Sequence, residues 1–318
     1  MDLPSPRNLT NGSTSGSCTK EDFVDIYMYP TAYSLFFIVG LPANCMSFYV
    51  AFVLARKGNN LAVYLINLSV SDLLYTITLP VWIQLALRYP VSDTLCSLIT
   101  VIMNNSFYVG TSFLCCISVD RYLAVVFPLY YPQVHTVQTA NLVSALVWCM
   151  ELCLHAGLLC HTGVLYSFSA SRLCEEKMPM RLEDSHMALV RVILGFLFPL
   201  LLMTFCFLCI FHVVQGSVFT QESDRRKIQS LLLLLLLTYV IAFTPFQTVM
   251  FLRGLWEPNM CSFALRMRDS YMVFVATTTI NSVVDPILYC LLSEAARAEM
   301  NLLLQGFRSR FGKILTFQ

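Results

Sequence analysis

The sequence predicts an all-α membrane protein: a seven-transmembrane helix bundle followed by a short amphipathic C-terminal helix. Three observations predict it. The 318 residues are 57% hydrophobic and 12% charged, whereas soluble domains average about 25% charged. A soluble chain of this composition would carry more apolar surface than it could hide. The apolar residues also gather into seven runs, each of the roughly 20 residues that a helix needs to cross a bilayer. Only short polar breaks separate them, with no soluble domain and no low-complexity linker between.

The first 27 residues form a polar head. Met1 to Asp25 lacks the apolar core behind basic residues that marks a cleavable signal. It holds two glycosylation sequons, Asn8-Leu9-Thr10 and Asn11-Gly12-Ser13, which favour an extracellular N-terminus at the plasma membrane. Two further matches, at Asn67 and Asn104, lie inside apolar runs where no sugar would be added.

Residues 28–292 make the bundle. The spans run Met28–Ala55, Leu61–Leu87, Leu95–Phe127, Val137–Cys160, Met187–Gln215, Lys227–Leu255 and Asp269–Leu292. Proline stands inside five of them, as Pro42, Pro80, Pro199, Pro245 and Pro286. Each removes a backbone hydrogen bond and invites a kink. Residues 293–318 begin with Ser293, a helix-capping residue. Leu303, Leu304 and Phe307 then share one face, as in a helix lying against membrane lipids.

Lys and Arg divide about equally between the two sides and do not orient the bundle. Cysteines help more. Most of the 13 lie in the spans as small apolar residues. Cys18, Cys96, Cys174 and Cys261 fall instead on the side of the sequons, an oxidising compartment. The expected pairs are Cys96–Cys174 and Cys18–Cys261. Cys160 is a rival partner, and free thiols are the alternative.

Several function classes recede. A net charge of +1 without a basic tract gives no footprint for nucleic acid. A haem or metal would need His or Cys ligands spaced across helices. None are evident, so neither cofactor nor enzymatic activity is expected. A transporter would usually show inverted repeats. Transporter and redox protein remain the remote alternatives.

The chemistry-bearing residues lie within or beside the spans. Phe113–Leu129 is an apolar run that ends in Asp120-Arg121 and then Pro128. A charge pair at a membrane edge is costly and usually functional. Arg191 stands about two turns before Pro199, and Arg253 about two turns after Pro245. A guanidinium presents a two-pronged fork to a carboxylate or phosphate. The alternative for both is snorkelling to the headgroups, more so for Arg253, which reads as nearer the surface. Asp72, Glu151 and Asp285 are acids within spans, where a carboxylate is costly. Two close carboxylates cannot both ionise easily. The alternative is a neutral acid that is simply hydrogen-bonded in place.

Seven spans, with Asp120-Arg121-Tyr122 closing the third, resemble the rhodopsin-like (class A) G-protein-coupled receptors. Asn44, Asp72, Trp148, Pro199, Pro245 and Asp285-Pro286-Ile287-Leu288-Tyr289 match that family's span signatures in order and spacing. Phe113–Leu129, Leu61–Leu65, Leu79–Trp82 and Asp285–Arg297 are similar to the proton-sensing group, whose relatives respond to lysophospholipids or oxidised fatty acids. The resemblance implies a receptor for an extracellular anionic lipid, with a primarily proton-sensing receptor as the alternative. Its partners would be a heterotrimeric G protein and arrestin. Asp120, Arg121, Tyr122, Pro128, Leu129, Arg225 and Tyr289 would serve coupling. Met103, Phe107, Tyr108, Phe243, Phe246, Gln247, Tyr271 and Thr279 would wall the ligand pocket, with Arg191 and Arg253 as its cations. Asp72, Glu151 and Asp285 would form that group's buried titrating set, with Asp72 and Asp285 near each other; the rival is a sodium site at Asp72, Asn281 and Ser282, expected to be weak because Gly110 stands where that pocket often has Ser. Departures also stand out. Phe243 replaces the usual toggle Trp, Phe207 replaces a Tyr that supports the active state, and the proton sensors' outer histidines have no counterpart.

Overall fold

A computed structural model of the chain describes residues 27–161, 174, 178–216, 222–292, 296–302 and 305, and every described element is helical. α1 (Tyr29–Arg56) starts with Pro30, whose missing N–H costs nothing in a first turn. It ends at a turn through Gly58, whose φ of +86° suits a residue without Cβ. α2 (Leu61–Ala86) follows. α3 (Asp93–Val126) is capped by Ser92, which accepts the Leu95 N–H at 3.4 Å. α4 (Tyr131–Val134) is a single turn, and α5 (Val137–His161) returns through the bundle.

α6 (Leu182–Val192) runs into a π-helical turn, Ile193–Leu197, and then α7 (Phe198–Gly216), so that one crossing is built in two registers. Pro199 has no N–H to give the Gly195 carbonyl four residues back. The wider turn accommodates the mismatch. The Tyr239 hydroxyl, from α8 (Glu222–Trp256), reaches the Gly195 and Phe196 carbonyls at 3.4 Å each. α9 (Cys261–Leu292) closes the bundle. Residues 296–302 are helical again, and Lys57 pairs there with Glu299.

Three predicted starts move outward. The helices begin at Leu182, Glu222 and Cys261 rather than at Met187, Lys227 and Asp269. Hydropathy marks where the bilayer begins, whereas backbone hydrogen bonding carries a helix through polar residues such as Glu183, Asp184, Arg266 and Arg268. Six helical stretches among the described residues are long and apolar enough to span a membrane, Leu182–Gln215 among them. α9 is the seventh crossing and packs against α1, α2 and α8.

The core lies between α1, α2, α3, α7 and α8, around Leu54, Leu65, Leu68, Phe113, Leu114 and Tyr239. Buried amide and hydroxyl contacts tie the helices at fixed depths. Asn44 donates to the Ser282 carbonyl at 2.8 Å, and Trp148 donates to Asn67 at 2.9 Å. Large apolar side chains such as Ile38, Leu142, Leu201 and Ile241 stay exposed around the outside. On a soluble protein so broad an apolar surface would be an association site; here it is the lipid-facing side.

Candidate functional site

The end of the bundle where α1 begins is termed upper, and the end where α3 finishes is termed lower. At the upper end a disulfide joins Cys96, in the first turns of α3, to Cys174 of the long α5–α6 loop. Cys261 is disulfide-bonded as well, while its expected partner Cys18 lies outside the described residues, as do the sequon residues Asn8 and Asn11.

Arg191 occupies the last turn of α6, just before the π turn. It is half-buried. Its Nε is buried and has no hydrogen-bond partner among the described residues. Tyr108 and His155 lie within reach of its charge. The Tyr108 ring presses against Gly195 so closely that a Cβ there would overlap its Cε1. From Tyr108 a run of aromatic contacts crosses the bundle. Phe107 meets Tyr108 at 5.1 Å and Phe243 at 4.9 Å between ring centroids, and Tyr239 meets Phe243 at 4.7 Å. Phe246 meets Tyr271 at 5.8 Å. Met103 packs with Phe107 against the cluster around Tyr33 and Leu79. Gln247 is buried, and Thr279 is hydrogen-bonded to Tyr75 at 3.0 Å.

Arg253 departs from expectation. It is 1% exposed rather than near the surface, because Glu257, one turn on, takes both prongs of its guanidinium, and its flat face lies 4.3 Å from the centre of the Tyr271 ring. Sequence reading alone passes over Glu257.

The acids do not form one set. Asp72 and Asp285 are both buried and lie within electrostatic reach of each other. Ser282 donates to Asp72, and Asn281 Nδ2 donates to Asp285 Oδ2 at 2.6 Å. Asp72 Oδ2, Asp285 Oδ1 and Asn281 Oδ1 are buried acceptors with no hydrogen-bond partner among the described residues. Gly110 faces this group: a Cβ on it would stand 3.9 Å from Asp72 Oδ1. A proton shared between the carboxylates would suit the cluster, and so would a small cation. Glu151 stands apart and is only half-buried, accepting from Ser112 Oγ at 2.7 Å. The reason is its helix: among the described residues α5 packs on the bundle chiefly through α3 and α2, and Glu151 meets Ser112 of α3.

At the lower end Asp120 holds Arg121, with Nε at 3.0 Å and Nη2 at 2.5 Å from Oδ2. Two residues unmarked by sequence join them. The Tyr131 hydroxyl lies 3.2 Å from Asp120 Oδ2 and accepts from Arg121 Nη2 at 3.0 Å. His135 Nδ1 lies 2.7 Å from Asp120 Oδ1. The short helix α4 sets both in place, their rings stacked at 4.3 Å, while Asn60 donates to the His135 carbonyl at 2.7 Å. Burial lowers the His135 pKa; it outweighs the attraction of Asp120, and Arg121 adds to the lowering. Near neutral pH the ring is therefore uncharged and donates Nδ1–H to the carboxylate. Burial likewise raises the Tyr131 phenol above its usual range, so it too keeps its proton. A cleft of about 280 Å³ opens beside this cluster, lined by Tyr64, Cys115, Val119, Leu123 and Leu202. Tyr122 packs between Phe127 and Phe205, each 5.8 Å away. Leu129 is exposed beside Pro128. The side chains of Arg225 and Tyr289 lie outside the described residues.

Comparison with known proteins agrees with this architecture. A family model described as 7 transmembrane receptor (rhodopsin family) matches residues 35–289. G-protein coupled receptor 68 of Bos taurus is 34% identical over 296 residues, covering 92% of this chain and 82% of its own. G-protein coupled receptor 65 of Homo sapiens is 33% identical over 300 residues, covering 90% and 89%. Lysophosphatidic acid receptor 6 of Gallus gallus is 26% identical over 292 residues, covering 88% and 94%. With seven crossings, Asp120-Arg121 at the foot of the third and a family match over most of its length, the chain belongs to the rhodopsin family of G-protein-coupled receptors, multi-pass membrane proteins that bind a ligand and couple to G proteins and are not enzymes.

Proposed function

We propose that this receptor sits in the plasma membrane with its upper end outside and responds to an extracellular anionic lipid, an oxidised fatty acid or a lysophospholipid. One observation carries the reading: the Arg191 Nε is buried at the upper end without a hydrogen-bond partner among the described residues. A cation so placed wants an anion, and a guanidinium fork fits a carboxylate or phosphate head. Tyr108 beside it suits an apolar tail, with Phe107, Phe243, Met103, Phe246, Gln247, Tyr271 and Thr279 further along the proposed wall. The name of the lysophosphatidic acid receptor points to the same ligand class. Ligand binding shifts a two-state bundle. Arg121 then leaves Asp120 and the lower end receives a heterotrimeric G protein, with arrestin as a later partner. Pro128, Leu129 and Arg225 lie at that end. The test is Arg191→Ala against a panel of lysophospholipids and oxidised fatty acids. The dose response is expected to weaken at least about tenfold, while Arg191→Lys keeps part of it. An unchanged dose response at normal surface expression would rule out the anchor.

Protons are the second signal, as modulator or as primary agonist. The oxygens of Asp72, Asp285 and Asn281 that have no hydrogen-bond partner among the described residues favour this. Asp285→Asn is expected to move the pH dependence of second-messenger output. Glu151→Gln, remote from the pair, is expected to move it less. No movement with either leaves both acids a structural role.

A further inference from the structure

The upper end of α8 carries Arg253 and Glu257 one turn apart, a spacing that on an open helix face gives a weak, solvated pair. Here both side chains are almost wholly enclosed, 2% and 0% exposed. The contact is bidentate: Nε meets Oε2, and Nη2 meets Oε1 at 3.0 Å. Glu257 Oε1 also accepts the Met180 backbone N–H at 2.9 Å, from the segment leading into α6. The guanidinium face stacks on Tyr271, which in turn meets Phe246 of the proposed pocket wall. Glu257 thus fills the Arg253 fork as the head of an anionic lipid would. Removing both charges from water is costly, and such a pair is weak evidence for stability alone.

We propose that Glu257 is a built-in anion occupying a second anion subsite at Arg253, and that an incoming lipid head displaces it while Glu257 takes up a proton. The inference rests on the anionic-lipid reading above. The exchange balances: the lipid anion takes over the guanidinium, and the released carboxylate, enclosed and without its cation, binds one proton from the outer solution. Linkage makes the effect reciprocal. Lipid binding draws in a proton, and external acid in turn favours the lipid-bound form. Among the described residues, the groups that face the Glu257 carboxylate are Arg253 and the Met180 N–H, with Tyr271 behind the guanidinium. Of the other charged groups on the adjoining segments, Arg181 pairs with Asp184 at 3.2 Å and Arg268 lies 3.9 Å from Asp269. Among the described residues, Glu183 and His186 on α6 and Arg266 on α9 are the further charged or titratable groups there.

The experiment measures binding of oleoyl-lysophosphatidic acid to full-length receptor in nanodiscs, wild type beside Glu257→Gln, from about pH 7.5 to about pH 5.5. The ratio of the two affinities at each pH cancels the titration of the lipid itself. Glu257→Gln is expected to bind more tightly at the alkaline end, by at least about fivefold, with the gap closing toward the acid end. A second measurement counts protons directly. Adding the lipid to weakly buffered receptor should take up close to one more proton per lipid bound in wild type than in Glu257→Gln, a difference that cancels the titration of the phosphate, and neutral 1-oleoylglycerol should take up none in either. An affinity ratio that stays flat with pH, or binding without that extra proton uptake in wild type, overturns the exchange and leaves the lipid reading standing. Absence of lipid binding at every pH overturns both.

Discussion

Replacing His135 by Ala removes one of the three side chains that hold Asp120. The contact is short, 2.7 Å from Nδ1 to Oδ1, and sheltered, since the histidine side chain is 15% exposed and the aspartate 6%. A hydrogen bond to a charged group contributes about 1.5–3 kcal/mol. Water entering beside the half-covered ring would replace part of it, so the lower figure applies. Arg121 is bound to the same carboxylate, and both Tyr131 contacts lie on the same cluster. When Asp120 and Arg121 separate, the His135 contact has no reason to persist in the same geometry. Its loss therefore falls mainly on the resting state. About 1.5 kcal/mol is roughly a tenfold shift toward the active state. Basal nucleotide exchange on a G protein, in membranes matched for receptor amount, should rise by up to that factor. Tyr131→Phe, which loses contacts to both Asp120 and Arg121, should raise it similarly. His135→Gln, whose amide still donates, should fall between wild type and His135→Ala. A basal rate and a half-maximal agonist dose both unmoved by His135→Ala would refute the claim that this ring steadies the pair.

The same histidine gives stability a pH dependence of defined sign. Its folded-state pKa is lowered from 6.5, so the unfolded chain binds the extra proton more readily. Stability from the neutral ring is thus present above about pH 6.5 and lost as the pH falls toward the lowered value. Thermal unfolding of wild type and His135→Gln at about pH 7 and about pH 5.5 checks this, with the wild type expected to lose more of its Tm on acidification. Gly195→Ala forces a methyl into the Tyr108 ring; overpacking of this kind costs about 1–3 kcal/mol, and a Tm equal to that of wild type would show that the ring moves aside freely.

Seven runs of apolar residues are visible to any hydropathy count, because bilayer thickness fixes their length. The foot of α3 is legible for a related reason: charge at the end of an apolar helix stands out. The partners of that charge do not stand out. Tyr131 and His135 belong to a short loop helix with no periodic signal, and only the folded chain brings them to Asp120. Arg253 and Glu257 show their spacing in the sequence, yet the same spacing on an exposed face would be unremarkable. What changes its meaning is burial beneath Tyr271 and Met180. The π turn is invisible for a different reason: it slips the helical register inside a run that is apolar on every side, where periodicity has nothing to measure. The resemblance to the proton-sensing group places Glu151 in one set with Asp72 and Asp285, but an acid's presence in a span does not say which neighbour its helix faces.

The π turn also determines what the upper end can hand on. Arg191 lies directly before it, Gly195 within it touches Tyr108, and its freed carbonyls receive the Tyr239 hydroxyl. Tyr239 in turn packs on Phe243, four residues along α8 and close to Pro245, so a change at the anion site meets the hinge residue through one intermediate ring. Phe243 has only an apolar edge to offer, with no indole N–H to hold it in one position. Its position therefore depends on packing in the core, where Phe107 and Tyr239 are its ring neighbours among the described residues. Phe107 and Tyr108 belong to α3, the same continuous helix that ends in Asp120-Arg121. Both ends of the bundle thus act on α3, the upper through ring contacts and the lower through Asp120. Contact alone does not transmit a signal. What the geometry adds is a rigid helix joined at one end to a soft aromatic set and at the other to a hydrogen-bonded cluster that has either closed or opened.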